Sequence, residues 1–136
     1  MSLFYLDASA LVKLVREEDE SAALHLFLDG ADLVSSELVL TEVPRAVHRA
    51  AFDDPALSTD LLLARAGDML AALALVPVDR AVLMAAGAFA EPVLRALDAI
   101  HIASALDVGP IDGMVTYDDR QAAAARLAGL RTVAPS

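Results

Sequence analysis

Near its start the chain runs Leu3-Phe4-Tyr5-Leu6, stops at Asp7, and turns at once into Ala8-Ser9-Ala10-Leu11-Val12-Lys13-Leu14. A short apolar run that ends on a carboxylate and gives way to helical spacing reads as a buried parallel strand followed by a helix. Such a strand delivers Asp7 to the carboxyl end of a sheet, the edge where open α/β sheets take their ligands. One acid there is a weak sign, because Asp is also a common cap for the helix that follows a strand. The reading turns on whether other acids arrive at the same edge.

Strand and helix patterns alternate along the rest of the chain. Asp32-Leu33-Val34-Ser35, Leu75-Val76-Pro77-Val78, the stretch from Ile111 to Tyr117, and Leu130-Arg131-Thr132-Val133 read as further strands. Helices are expected from Ser9 to Val15, from Glu17 to Asp29, from Leu61 to Leu75, from an Asp79 cap to Phe89, from Leu94 to Asp107 and from Arg120 to Ala128. Between these, Thr41 to Ala50 is helical in composition, and Pro44 predicts that this helix either restarts near Thr41 or kinks. The alternation predicts an α/β protein: a three-layer α/β/α sandwich with a mostly parallel sheet of about five strands, in one domain over residues 1–136.

Four further acids stand where that plan makes them conspicuous. Asp118 and Asp119 close the fourth predicted strand as Asp7 closes the first, and Glu42 lies near the start of the helix after the second. Asp98 sits among Leu94, Leu97, Ile100, Ile102, Ala103 and Leu106, a pattern that predicts a buried helix. An ionised carboxylate inside such a helix is expensive unless something pairs with it. Acids gathered at one place repel each other unless a cation lies among them, and hard oxygen ligands without Cys or His favour Mg²⁺ or Mn²⁺. His101, three residues after Asp98, reads as a packing residue with a local hydrogen bond, and Lys13 as a surface charge.

Composition bounds the rest. Hydrophobic residues make up 57% of the chain, but much of that is alanine, and no run of about eighteen apolar residues is free of charge, so no membrane span is expected. Cysteine is absent and Met1-Ser2-Leu3 has no basic leader, which makes the expected location cytoplasmic. A net charge of −10 argues against holding nucleic acid by phosphate neutralisation alone. A divalent cation would invert the charge locally, and Arg45, Arg49, Arg95 and Arg120 are candidates for a basic patch beside it.

The stretches Tyr5 to Leu14, Leu40-Thr41-Glu42-Val43-Pro44-Arg45-Ala46, Leu97 to Ala105 and Val115-Thr116-Tyr117-Asp118, in this order, resemble the PIN-domain family. More closely they resemble the VapC toxins of bacterial toxin–antitoxin pairs. The resemblance implies an endoribonuclease dependent on Mg²⁺ or Mn²⁺ that cleaves RNA phosphodiesters with a metal-activated water and is silenced by a VapB-like antitoxin. Asp7 and Asp98 then match the family's principal metal-binding acids, and Glu42 and Asp118 the other two acids of a catalytic quartet. Ser9 matches a hydroxyl residue that supports the metal shell, and Thr116 the hydroxyl residue two before the fourth acid. Pro44 and the doubled Asp118-Asp119 depart from the pattern.

Other readings compete with this one. A DNA-directed or repair-type nuclease would use the same acids. A receiver-like Mg²⁺-binding module would want a lysine after its fifth strand, which the chain lacks, and a catalytically silent PIN fold would not need an intact quartet. The helices between Ser36 and Leu73 carry more apolar surface than one small sheet covers, so a homodimer is expected.

Overall fold

The computed structural model describes residues 2–136. Five parallel strands form its centre: β1 (Leu3–Leu6), β2 (Asp32–Ser36), β3 (Ala74–Val76), β4 (Gly113–Val115) and β5 (Thr132–Val133), in the order β3-β2-β1-β4-β5. The first strand of the chain is therefore the middle of the sheet, pairing through Tyr5 with Val34 on one side and Met114 on the other.

Alternation along β1 builds two cores, because successive side chains in a strand point to opposite faces. Phe4 and Leu6 pack with α1 (Ala8–Val15), α2 (Ser21–Leu28), α3 (Val39–Asp53) and α4 (Thr59–Ala72), through Leu11, Leu24, Val43 and Leu62 among others. Tyr5, Val34 and Met114 face α5 (Arg80–Gly87), α6 (Ala96–Val108) and α7 (Asp119–Leu127), through Val82, Ile102 and Ala124. Each fully buried Leu or Ile contributes about 1.5–3 kcal/mol relative to leaving it in water. This is the three-layer sandwich that the sequence predicts.

The order of the sheet also fixes where a ligand would bind. The chain winds outward from β1 to β2 and β3, and returns to the other side of β1 for β4 and β5. The point at which winding reverses lies between β1 and β4, and crevices form outside the carboxyl ends of strands at such switch points. Asp7 and Asp118 follow those two strands.

Several boundaries differ from the sequence reading. Glu17 to Glu20 do not start α2; the helix begins at Ser21, while Glu18 and Glu20 turn back onto Lys13 at 3.5 and 2.9 Å. Lys13 is accordingly no free surface charge: its side chain is 12% exposed and its ammonium lies 4.8 Å from the Tyr117 ring centroid. Helix α3 neither restarts at Thr41 nor stops at Pro44; it runs through both from Val39. Pro44 deprives the Leu40 carbonyl of its helical donor, and Leu40 is half-exposed, so solvent can replace it. Helix α6 is buried only in its middle, since Leu97 and Leu106 face outward. The fourth and fifth strands shrink to three and two residues.

No helix among the described residues is long and apolar enough to cross a membrane. Every buried side-chain nitrogen or oxygen among them has a hydrogen-bond partner.

Candidate active site

Asp7 leaves β1 in extended conformation and caps α1, its Oδ1 accepting from the Ala10 amide at 3.0 Å and from the Ser9 hydroxyl at 2.6 Å. Its other oxygen, Oδ2, accepts from the Thr116 hydroxyl at 2.6 Å. The residue is only 2% exposed. Burial pushes its carboxyl above the ordinary carboxylate range, and the Ser9, Thr116 and Ala10 donors pull it back. Ser9 Oγ also accepts from the Tyr117 amide, and Thr116 Oγ1 from the Asp118 amide, so the ends of β1 and β4 are tied together through Asp7. The two hydroxyl residues singled out in the sequence both act on that one acid.

Asp118 caps α7, with Oδ1 accepting from the Gln121 amide at 3.0 Å. Asp98 stands in the first turn of α6, and among the described residues no donor holds its carboxylate. Partial burial raises its pKa first, with Asp118, Asp7 and Glu42 adding to the rise and His101 opposing it. Glu42, in the first turn of α3, takes the ring of His101, with Nε2 and Oε1 at 2.6 Å.

The four acids, brought from two strand ends and two helices, line one cavity of about 130 Å³ together with Ser9, His101 and Gln121. Asp119, by contrast, is exposed and lines the neighbouring hollow of about 350 Å³ with Arg95 and Arg120, which also touches Asp98 and Asp118. A separate trough of about 550 Å³ shares Ser9 and Glu42 with the cavity and is walled by Lys13, Arg45, Arg49, Leu97 and Tyr117. The four arginines therefore flank the acids from two sides, on a chain whose net charge is −10.

As the side chains lie, no group of three or more acids or histidines among the described residues encloses an ion. The reason is visible in their bonds: both oxygens of Asp7 are held by donors, Oδ1 of Asp118 is occupied by a cap, and Oε1 of Glu42 by His101. Both Asp98 oxygens, Oδ2 of Asp118 and Oε2 of Glu42 make no hydrogen bond to the described residues. Hard, anionic oxygens around a small cavity, with neighbouring acids raising the Asp98 pKa, fit Mg²⁺ or Mn²⁺ and not a thiolate-seeking metal.

The roles of three participants escaped the sequence reading. Gln121, 2% exposed, lines the cavity and reaches the Asp98 carbonyl at 3.5 Å. Its spacing from Asp118 is that of a capping box, the signal that marks it. His101 was expected to pack with a local hydrogen bond, and Tyr5 was quoted without a role; instead their hydroxyl–imidazole bond at 2.7 Å continues to Glu42, both partners lying far off in sequence.

The PIN domain family matches residues 4–127. Ribonuclease VapC46 of Mycobacterium tuberculosis is 42% identical over 138 residues, covering 100% of both chains. Among solved structures, VapC20 of Mycobacterium tuberculosis, described as a Sarcin-Ricin loop cleaving toxin, has a TM-score of 0.73 at 18% identity over 97% of this chain and 99% of its own. VapBC2 of Rickettsia felis, solved with a DNA fragment from their promoter, has a TM-score of 0.71 at 13% identity over 98% of this chain and 99% of its own. At those identities the two structures speak for the fold.

Proposed function

Because this chain belongs to the PIN-domain family, which matches it over residues 4–127, we propose that it is a divalent-metal-dependent endoribonuclease and the toxin subunit of a toxin–antitoxin pair. The observation that carries this reading is the meeting of Asp7, Glu42, Asp98 and Asp118 on a single cavity at the switch point of the sheet. The 42% identity to a ribonuclease along its full length supports RNA as the substrate.

In this reading Asp98, Asp118, Glu42 and Asp7 hold Mg²⁺ or Mn²⁺. A bound ion of that kind lowers the pKa of a water and neutralises charge growing on a phosphoryl group. The chain's own contribution is placement. Ser9, Thr116 and the Ala10 amide keep Asp7 from turning, and the free Asp98 side chain adjusts to what enters. Arg45 and Arg49 on one side and Arg95 and Arg120 on the other take phosphates before and after the scissile bond. On the trough wall Tyr117 offers an aromatic ring to a base, with Leu97 as apolar surface beside it.

A VapB-like antitoxin segment is the proposed inhibitor, lying in the trough beside Glu42, and the cytoplasm the proposed location. A second copy is the proposed cover for Phe52 and Leu61, which stand exposed at the tip of the α3/α4 hairpin. Light scattering at micromolar concentration reads the last point, and a monomer there overturns it.

The deciding experiment incubates the purified protein with single-stranded RNA, transfer RNA and single-stranded DNA, in Mg²⁺, in Mn²⁺ and in EDTA. Cleavage of RNA that needs the metal and disappears in Asp98→Asn is the expected result. Preference for DNA, or cutting that persists in EDTA, overturns the proposal.

A further inference from the structure

The interior of the protein reaches the acidic cavity through one line of side chains. Tyr5, fully buried on the central strand, bonds its hydroxyl to Nδ1 of His101 at 2.7 Å, and Nε2 of His101 meets Oε1 of Glu42 at 2.6 Å. The three residues come from β1, α6 and α3. They are far apart in sequence, with 96 positions between the first pair and 59 between the second. The imidazole itself has no freedom: it is 1% exposed, and the Tyr5 ring meets it edge-on at 76° with centroids 5.9 Å apart.

We propose that His101 is a positioning residue for Glu42, holding Oε1 from a ring that Tyr5 in turn holds in place, so that Oε2 is left for the ion. The proposal rests on the metal-dependent reading above. Its logic is one of donors and acceptors. An ionised carboxylate can only accept, so Nε2 carries a proton, and the Tyr5 hydroxyl, which can both donate and accept, meets Nδ1 from the other side. A bare Nε2 facing the carboxylate would set acceptor against acceptor. Because metal-binding acids are commonly oriented by a hydrogen-bonded partner behind them, a defect there reaches the ion.

Glu42 has particular need of such a tie. Its side chain has three torsions, each of which must be fixed for a ligand oxygen to wait in place. Its helix also lacks one main-chain hydrogen bond at Pro44, two residues on. The partner comes from the opposite layer: α3 packs on one face of the sheet and α6 on the other, and they meet through His101 beyond the end of β1. The same helix supplies Asp98 one turn earlier, so a single element sets two of the four acids.

The test uses His101→Leu, His101→Gln and Tyr5→Phe in the full chain. Mn²⁺ binding is measured by calorimetry without RNA, melting is followed in EDTA, and ¹⁵N spectra of the imidazoles are recorded on the metal-free wild type. The other two histidines, His25 and His48, are exposed, so the His101 signals stand apart by slow proton exchange. The expected spectrum is that of a ring protonated on Nε2. Mn²⁺ affinity is expected to fall about ten- to hundredfold in His101→Leu. His101→Gln, which restores an N–H toward Glu42, recovers part of that loss, and Tyr5→Phe falls between wild type and His101→Leu. If His101→Leu does not fold, the other two variants carry the comparison. Lower melting temperatures with wild-type Mn²⁺ affinity would mean a structural role and overturn the proposal, as would a ring protonated on Nδ1 alone. A wild-type protein that binds no Mn²⁺ and cuts no RNA would instead overturn the functional reading on which this one stands.

Discussion

The Thr116 hydroxyl donates to Oδ2 of Asp7 at 2.6 Å across 109 positions of sequence. That bond lies inside the protein, with both residues 2% exposed. Replacing Thr116 by Val keeps the shape and removes the donor, leaving a buried carboxylate oxygen without a partner. An orphaned group of this kind costs about 1–3 kcal/mol. Thr116→Val is therefore expected to lose that much stability in urea titration and to lower RNA cleavage, whereas Thr116→Ser retains most of both. Equal stability of Thr116→Val and wild type would contradict the role given to the bond.

Asp98 makes the opposite prediction. Burial and the neighbouring Asp118 raise its pKa in the folded protein, so without metal the ionised form opposes folding. In that situation the folded state binds more protons than the unfolded state, and stability falls as pH rises through the raised pKa. In EDTA, Asp98→Asn should melt above the wild type at neutral pH, and the gap should close as the buffer is made acidic. Mn²⁺ should raise the melting temperature of the wild type and not that of the variant. A variant that melts lower at neutral pH would show that Asp98 is paired within the protein.

The parts of this site that local pattern reveals are those where a residue interrupts its own segment. Asp7 ends an apolar run, Asp118 ends another, and Asp98 breaks an otherwise apolar helix, so each stands out without knowledge of its neighbours. What the sequence hid are contacts between distant segments. Glu18 and Glu20 look like the acidic first turn of a helix, yet they serve Lys13 from a turn before it. Nothing near His101 in sequence discloses Tyr5 or Glu42. The short β4 and β5 reflect the same limit, since a strand lasts only as long as its neighbour pairs with it, and the pairing of Val115 with Val133 is nearly the last rung.

Pro44 allows a third test. It is the sixth residue of α3, inside the helix, where proline is about 3 kcal/mol less favourable than alanine. Pro44→Ala is expected to raise stability by about 1–3 kcal/mol, the gain reduced because proline also stiffens the unfolded chain. Mn²⁺ affinity should hold, because Glu42 is fixed by His101 and not by the helix alone. A stabilised variant with weakened Mn²⁺ binding would mean that the distorted turn itself aims Glu42.

The arginines flanking the cavity carry the last prediction. A protein of net charge −10 repels RNA at long range, so binding depends on cations collected at the site. Arg45 and Arg49 line the trough that opens onto Glu42. For single-stranded nucleic acid, each phosphate neutralised contributes about −0.7 to the slope of log affinity against log salt. In a cleavage-dead Asp98→Asn background, Arg45→Ala and Arg49→Ala should each weaken RNA binding at low salt and flatten that slope by about 0.7 in fluorescence anisotropy titrations. Arg65, exposed on α4 and outside the trough, provides the control and should leave the slope as it was. If all three variants lose affinity equally, net charge alone governs binding. If only Arg65→Ala does, the RNA lies on another face.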